Sequence, residues 1–592
     1  MTSQAPRFTA EEFAAPAEAC DLIMKGGVTS GVVYPYAVLQ LAQQYRLRSI
    51  GGTSAGAIAA AFAAAAEYGR QAGDPAAFVR FETRCQQIPQ LLEGLFQPSA
   101  PFAPLMRALK NFSAEKEAGR WLGLLAPFWS VLGGGFAVGG VALALLGALA
   151  AGGWSAGLLP GAVLGGLVGG AAGLAWRLVR CLCVDLPKHR FGFCSGMAPA
   201  GSAPVLTDWT HRSLQFIAFG DEAAEPPLTF GHLSRVGLDA AAIKRGDSNI
   251  DLRMITTNLS MRRPHALPAL GGDFLFRLQD WRRLFPASLC AYLQGASPHG
   301  DRLVAPLDKE FGGFHAVPEA EDWPVVAAVR MSLSFPILIE AVPMWARDLS
   351  HVAPDVPLTD NQRPKVPLAE VLFSDGGLSS NFPIHFFDAL LPVRPTFALS
   401  LDPLGQGDDP AKRVSMPQTA AAGSYTSIST IDGLMGFAGA ILNSAKDWQD
   451  QLLSMMPGQR ERICHVKLSK EEGGLNLAMS PETSVKLMAY GDQAGDVIRR
   501  DFNFCEHRWR RTLVAYEQFQ TTLTGIGETW PSYGSWLNGY APASYKRAAG
   551  KKAQIGARFG TLAGVAPSFT PLLKGVGLFP RPSGRLRIVP DV

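Results

Sequence analysis

The stretch from residue 47 to residue 57 decides the fold, and it reads Leu-Arg-Ser-Ile-Gly-Gly-Thr-Ser-Ala-Gly-Ala. The apolar run Leu47–Ile50 predicts a short strand, and the alanine-rich segment Ala57–Tyr68 has high helix propensity. Ser54 therefore stands at a sharp turn between a strand and a helix, inside a Gly-x-Ser-x-Gly pattern made by Gly52 and Gly56. Such a turn is typical of a serine nucleophile, because small neighbours allow the backbone to fold back and the helix N-terminus stabilises negative charge.

The same order of strand, glycine turn and helix also occurs just before this stretch. Asp21–Met24 predicts a strand that ends in two glycines, and a helical pattern follows over Tyr34–Tyr45. Strand, glycine turn and helix, repeated twice, predict an α/β fold with a mostly parallel sheet. Further strands are predicted at Leu252–Thr257, Phe397–Leu401 and Ile463–Leu468.

The composition indicates a globular body that carries a membrane segment. Of 592 residues, 47% are hydrophobic and only 18% are charged, which is too apolar for an ordinary soluble enzyme and too polar for a polytopic transporter. The net charge of +4 and the absence of nucleic-acid-binding motifs argue against a nucleic-acid partner. Eight scattered cysteines lack zinc or redox spacing, so we expect reduced, buried thiols. The first twenty residues do not match a cleaved signal peptide.

A long uncharged stretch from Trp121 to Trp176 interrupts the α/β pattern. It contains two apolar segments, Leu122–Ala151 and Leu158–Cys181, each longer than the roughly 20 residues that span a bilayer. Arginines flank both outer ends, which predicts a hairpin whose two ends share the cytoplasmic side. Glycines recur four residues apart, the spacing that lets helices approach closely in lipid, at Gly157, Gly161, Gly165, Gly169 and Gly173. Two alternatives are a re-entrant or shallow hairpin that does not cross the bilayer, and a buried helical pair inside a soluble body or oligomer.

The C-terminal tail is basic. From Ala541 onward its only acidic residue is Asp591, and apolar residues are interleaved with the lysines and arginines. Two interpretations remain open: an interfacial segment on anionic lipid, or a loosely ordered tail.

A serine nucleophile needs a proton acceptor and donors for its oxyanion. Asp375 follows an apolar run and precedes Gly376 and Gly377, which lets the carboxylate lie against another loop. The glycine-rich turn 26–31 offers open backbone amides. Each motif is also compatible with an ordinary tight turn. Among the histidines, His385 follows Asp375 but sits in an apolar context, so a Ser54–Asp375 pair is the simpler hypothesis.

Taken together, the ordered motifs resemble the patatin-like phospholipase family. In that family a glycine-rich oxyanion loop, a Gly-x-Ser-x-Gly elbow and an Asp-Gly-Gly/Ala motif follow one another, and the resemblance covers residues 20 to 500 outside the hairpin. Supporting stretches are Thr256-Thr257-Asn258-Leu259, Ser332-Leu333-Ser334-Phe335-Pro336 and Glu472-Gly473-Gly474-Leu475-Asn476-Leu477. One departure is that Val28 takes the place of a third glycine and Ser30 that of a basic residue.

The resemblance implies a three-layer α/β/α sandwich and hydrolysis of phospholipid acyl esters without metal or cofactor. It gives Ser54 the role of nucleophile and Asp375 that of base. The oxyanion donors would come from Gly26, Gly27 and Val28, and also from the amide after Ser54. Five further glycines would support these motifs: Gly31, Gly52, Gly56, Gly376 and Gly377.

The expected organisation has five parts. These are an N-terminal extension (1–19), a first catalytic part (20–120), the hairpin (121–182), a second catalytic part (183–500) and a basic extension (501–592). The expected partners are a lipid ester substrate and a bilayer, with the catalytic domain on the cytoplasmic side. An acyltransferase with the same dyad, or a membrane-binding effector with a vestigial site, are the alternatives. The sequence leaves the oligomeric state open.

Overall fold

The fold is taken from a computed structural model. It describes residues 5–27, 29–114, 120–154, 158–198, 203, 205–270, 274–297, 313–351, 366–405, 407–419, 422, 431, 433–434, 436–437, 440–441, 444, 450, 452, 454–469, 471–473, 476, 479–541 and 546–573.

Strands of this part of the chain build one large sheet and one small one. They are β1 (Glu18–Met24), β2 (Tyr45–Gly52), β3 (Gly192–Cys194), β4 (Asp251–Asn258), β5 (Arg263–Leu267), β6 (Phe274–Arg277), β7 (Phe314–Ala316), β8 (Ile337–Ile339), β9 (Val342–Arg347), β10 (Leu368–Asp375), β11 (Thr396–Pro403), β12 (Val414–Ser415) and β13 (Ile463–Leu468). The large sheet has the order β12-β13-β11-β1-β2-β4-β10-β9-β6-β7, with β5 also paired to β4. Strands β3 and β8 form the small sheet.

The large sheet is mixed, whereas the sequence predicted a mostly parallel one. Its five neighbouring strands β13, β11, β1, β2 and β4 are parallel. The strands beyond β4, together with β5 and β12, pair in antiparallel fashion. The prediction of an α/β protein is confirmed. The predicted strands all fall in the parallel part, and the antiparallel additions give the sheet its mixed character.

The α-helices of the described residues lie between these strands or, in the case of the last three, follow β13. They are α1 (Tyr34–Gln44), α2 (Ala55–Gln71), α3 (Ala76–Leu95), α4 (Ala103–Ala114), α5 (Arg120–Leu125), α6 (Trp129–Ala151), α7 (Leu159–Arg180), α8 (Leu186–Lys188), α9 (Leu206–Phe219), α10 (Phe230–Arg235), α11 (Ala240–Lys244), α12 (Leu278–Trp281), α13 (Ala287–Ala296), α14 (Val325–Ser332), α15 (Pro481–Asp501), α16 (Phe504–Gly539) and α17 (Lys552–Val565).

The main core lies between the parallel strands and the helices on one face. Alternate strand residues such as Leu22, Met24 and Phe397 join helix residues in a single buried cluster. The alanines of α2 are all buried, and their small side chains let this helix lie close to β2. On the opposite face, Ile23 and its strand neighbours pack against loop side chains between Phe382 and Phe387. The described residues therefore give a mixed α/β fold, in which a loop covers part of the second face.

The apolar stretch forms two packed helices, α6 and α7, that stand outside this core. A Cβ added to Gly139 would lie 2.1 Å from the Gly165 carbonyl oxygen, and one added to Gly169 would lie 2.2 Å from that of Gly135. Close packing at glycines spaced four apart is thus confirmed at positions 165 and 169. Around Gly161 nothing lies within 4 Å, and Gly157 lies outside the described residues.

The outer surface of this helical pair is exposed and apolar. Trp129, Val138 and Leu149 are 78%, 73% and 80% exposed, respectively. By length and composition, 123–151 and 159–188 are each sufficient to cross a membrane. The alternative of a helical pair buried inside the body of this chain is therefore wrong, because the apolar side chains have no cover from the rest of the described structure.

Most of the described C-terminal region is helical. Helix α15 packs on α1, and α17 packs back on the 36-residue α16. A loosely ordered tail is therefore the wrong interpretation for residues 546–568. The basic residues from Lys574 onward lie outside the described part. All eight cysteines are free thiols, and Cys183 and Cys505 are exposed rather than buried as predicted.

Candidate active site

Ser54 lies in a strained turn between β2 and α2. Its backbone has φ 54° and ψ −128°, a left-handed conformation that residues other than glycine rarely adopt. A Cβ at Gly52 would lie 2.4 Å from the Gly56 carbonyl oxygen, and a Cβ at Gly56 would lie 2.5 Å from that of Met24. Larger residues at these two positions would therefore open the turn. Ser54 itself is 3% exposed and precedes the first residue of the helix.

The glycine-rich loop lies directly against this turn. The Ala55 N–H donates to the Gly27 carbonyl oxygen (3.1 Å), and a Cβ at Gly31 would meet that of Ala55 at 2.6 Å. The Gly26 N–H donates to the Asn381 carbonyl oxygen (2.7 Å). Since the amide after Ser54 is already bonded to Gly27, it is not an open oxyanion donor in this conformation. The Gly27 N–H makes no hydrogen bond to the described residues, and Val28 lies outside them.

Asp375 ends β10 and is held by its own glycine turn. The Gly377 N–H donates to Asp375 Oδ1 (2.7 Å). A Cβ at Gly376 would lie 2.0 Å from the Ile255 carbonyl oxygen, so only glycine fits where the turn crosses β4. The Thr257 hydroxyl donates to the Asp375 carbonyl oxygen (2.9 Å). These contacts explain why the Asp-Gly-Gly motif and the Thr-Thr-Asn stretch occur together.

Sheet register brings Ser54 and Asp375 to the same region. Gly52, at the end of β2, pairs with Met254 of β4, and two residues further along β4 Thr256 pairs with Asp375. Only one strand separates the two backbones, and adjacent strands lie about 4.8 Å apart. Both residues line one cavity of about 610 Å³, together with Gly26, Gly27 and Gly377. Its apolar wall is formed by Phe335, Leu378, Leu401, Leu404 and Leu468.

A second carboxylate, which the sequence did not suggest, also lines this cavity. Asp402 accepts a hydrogen bond from Lys25 Nζ (2.9 Å) and contacts His465 Nδ1 (2.7 Å). Burial alone would raise the pKa of Asp402, but Lys25 and His465 outweigh it, so its pKa lies well below the usual value. Asp402 therefore stays ionised and paired at neutral pH and is a poor proton acceptor. Lys25 and Asp402 lie 377 residues apart in the chain, and no local motif marks their contact.

Histidine does not provide an alternative base in the described cavity wall. His385 is exposed and is not among the residues that line the cavity. His465 contacts Asp402 and is likewise not among the residues that line the cavity. Among the described residues, no group of three or more His, Cys, Asp or Glu side chains is placed to hold a metal ion.

Fold and site together define a mixed α/β protein with a serine elbow over a partly apolar cavity and an exposed apolar helical hairpin. The chain is 34% identical to the RpoH suppressor of Rhizobium meliloti (strain 1021), over 92% of this chain and 94% of that protein. The chain therefore belongs to the same family as this RpoH suppressor. No family model matches it.

Among solved structures, the crystal structure of VipD from Legionella pneumophila is similar at a TM-score of 0.30 and 11% sequence identity. The match covers 94% of this chain and 89% of that one. At this level the similarity supports no argument about fold or function.

Proposed function

We propose that this protein is a serine-dependent lipid acyl hydrolase of the patatin-like type, with Ser54 as nucleophile and Asp375 as base. The observation that carries the proposal is the shared cavity: a serine in a strained elbow and a buried carboxylate line the same wall, beside a glycine-rich loop. A nucleophile, its base and an oxyanion donor are the parts that acyl transfer requires. We also propose that the mixed α/β fold is the three-layer α/β/α sandwich of the patatin-like family.

The reaction would proceed in two steps. Asp375 takes the Ser54 hydroxyl proton while Oγ bonds to the ester carbonyl carbon, and the alkoxide leaving group departs with a proton from the Asp375 carboxyl. Water then attacks the acyl-serine, giving its proton to Asp375, and the free fatty acid leaves as Ser54 regains a proton. The Gly27 N–H is the donor open to the oxyanion, whereas the Ala55 N–H must first release the Gly27 carbonyl.

The shape of the molecule supports a membrane lipid as substrate. The cavity wall is rich in leucine, which suits an acyl chain, and the exposed helices α6 and α7 are long enough to cross a bilayer. Insertion of this hairpin would hold the catalytic body beside its substrate. Arginines at both outer ends support a cytoplasmic position for that body, since positive charge flanking membrane helices favours the cytoplasmic side.

The direct test is lipid product analysis with three proteins: wild type, Ser54→Ala and Asp375→Asn. Each is incubated with vesicles of mixed phospholipids, and released fatty acids and lysolipids are identified by mass spectrometry. We expect fatty acid from the wild type and a loss of at least about a thousandfold in both variants. Equal release by wild type and Ser54→Ala would refute the proposal.

Two further outcomes separate the alternatives in the same experiment. Transfer of the acyl group to an added alcohol or lysolipid, rather than to water, would identify an acyltransferase. Tight vesicle binding without any Ser54-dependent product would identify a membrane-binding effector with a vestigial site.

A further inference from the structure

The hairpin returns to the catalytic body through the small sheet. After α7 and α8 the chain enters β3, which pairs in parallel with β8. The Ile337 N–H donates to the Phe191 carbonyl oxygen (3.0 Å), and the Glu340 N–H donates to that of Cys194 (2.9 Å). A Cβ at Gly192 would lie 2.1 Å from the Glu340 nitrogen. The segment that follows the hairpin, residues 191–194, is thus hydrogen-bonded to and closely packed against residues 337–340.

The segment just before β8 is hydrogen-bonded to the backbones of both proposed catalytic residues. We call Ser332–Pro336, which is the last residue of α14 and the four residues after it, the bracing loop. The Ser54 N–H donates to Ser332 Oγ (3.2 Å), and the Asp375 N–H donates to the Ser334 carbonyl oxygen (3.0 Å). The Ser374 hydroxyl donates to the same oxygen (2.7 Å), and Phe335 lines the cavity. The backbones of nucleophile and base are therefore held by one short loop.

Arg330 forms hydrogen bonds both to the small sheet and to the bracing loop. Its side chain is buried, with Nη1 donating to Ser334 Oγ (2.5 Å) and Nη2 donating to the carbonyl oxygens of Ser195 (3.1 Å) and Glu340 (2.8 Å). Burial lowers the pKa of Arg330 to about 10, which still leaves it charged at neutral pH. Charge-assisted hydrogen bonds of this kind are stronger than neutral ones. One guanidinium thus ties the residue after β3, the residue after β8 and the bracing loop together.

We propose that Arg330 is a positioning residue that couples the seating of the hairpin in a bilayer to the geometry of the Ser54–Asp375 pair. The proposal rests on the proposed function and adds a regulation of the same site. A shift of β3 relative to the large sheet would move residues 337–340 and, through Arg330, the bracing loop. Since a displacement of about 1 Å can cost a hundredfold in rate, such a shift suffices to control activity.

The test uses full-length protein in detergent micelles and in vesicles of phosphatidylcholine and phosphatidylglycerol. Two readouts need no knowledge of the natural lipid: the rate at which a soluble fluorophosphonate labels Ser54, and kcat and KM for p-nitrophenyl butyrate. The wild type is expected to react faster in vesicles than in micelles. Arg330→Gln is expected to lower kcat about tenfold or more at nearly constant KM and to abolish the difference between vesicles and micelles.

Arg330→Lys keeps the charge and is expected to restore part of kcat, which a purely structural role would not predict. Ser334→Ala removes the hydroxyl that accepts from Arg330 and is expected to give the same signature more weakly. It carries the test if Arg330→Gln does not fold.

The matched control is Arg70→Lys. Arg70 is also buried and donates to the carbonyl oxygens of Ala42 (2.6 Å) and Tyr45 (3.0 Å), but it lies at the other end of α2. The length of that helix puts it about 24 Å from Ser54. We expect Arg70→Lys to lower the melting temperature while kcat and the vesicle-to-micelle ratio stay at wild-type values.

The possible failures are distinguishable. If wild type and Ser54→Ala are labelled equally, the proposed function itself falls. If labelling depends on Ser54 but is equally fast in vesicles and micelles, or if the Arg330 variants keep the wild-type kcat, the proposed function stands and the coupling is refuted.

Discussion

Ser54 holds a backbone conformation that its neighbours must impose. Its φ of 54° and ψ of −128° are costly for a serine, by about 1–3 kcal/mol. The strain is retained because Gly52, Gly56 and Gly31 allow three segments to meet around the turn. The elbow thereby presents the Ser54 side chain to the cavity while its main chain stays bonded to the bracing loop.

The close contact at Gly376 gives a residue-scale prediction. Gly376→Ala would put a methyl group 2.0 Å from the Ile255 carbonyl oxygen, so β4 and the Asp375 turn must separate. We expect a loss of about 1–3 kcal/mol in unfolding free energy, measured by denaturant titration in detergent, together with lost activity.

The control for this substitution is Gly295→Ala. Gly295 lies in α13 with nothing within 4 Å of its added Cβ, so alanine there is expected to be neutral or stabilising by about 1 kcal/mol. Equal stability of Gly376→Ala and wild type would show that the turn is not packed against β4.

The residues of the site were accessible from sequence where they belong to local motifs. Ser54 and Asp375 each carry glycine neighbours in a recognisable order. By contrast, the contacts of Thr53 with Asn381 and of Lys25 with Asp402 span 328 and 377 residues. They follow from the pairing of β1, β2 and β11, which no local pattern specifies.

At the scale of elements, the parallel strands were predictable and the antiparallel ones were not. Strands β1 and β11 are buried on both faces and appear as continuous apolar runs beside glycine turns. The apolar run that ends at Asp375 was also visible, but its direction relative to β4 depends on tertiary pairing. Fold class therefore followed from the sequence, whereas sheet order did not.

The helical hairpin gives the prediction at this scale. Replacing residues 121–182 with a short Gly-Ser linker removes the exposed apolar surface of α6 and α7. We expect the protein to move from the membrane pellet to the soluble fraction after alkaline carbonate extraction, which strips peripheral proteins. A variant that stays in the pellet would assign membrane binding to another surface.

A subtler variant tests the packing inside the hairpin. Gly165→Leu would collide with the Gly139 carbonyl oxygen and part the two helices, whereas a Cβ added at Gly161 has nothing within 4 Å. Gly161→Leu is therefore the matched control. Only Gly165→Leu is expected to increase protease cleavage near 152–154, measured in detergent micelles, where the turn is accessible to the protease. Equal cleavage of both would show that the glycine contact is not formed in micelles.

For the whole molecule, acid should destabilise the fold through a buried histidine. His507 is 3% exposed, and burial together with Arg462, Arg511 and Arg510 lowers its pKa to about 3. The unfolded chain binds that proton near pH 6.5, so stability is complete above this pH and falls as the pH drops toward the folded pKa.

His507→Phe removes this proton-binding group while keeping an aromatic ring beside Phe502. Between about pH 7 and pH 5 the wild type should lose about 2 kcal/mol more unfolding free energy than the variant. Parallel pH profiles of the two proteins, measured by denaturant titration, would mean that folding does not lower the pKa of His507.

The proposed mechanism depends on Asp375 removing the Ser54 proton. The most direct measurement is the rate of fluorophosphonate labelling of Ser54, located by peptide mass spectrometry, in wild type, Asp375→Asn and Asp402→Asn. We predict labelling at least about a thousandfold slower in Asp375→Asn and less than about tenfold slower in Asp402→Asn. Wild-type labelling in Asp375→Asn, or a label on a peptide without Ser54, would contradict this mechanism.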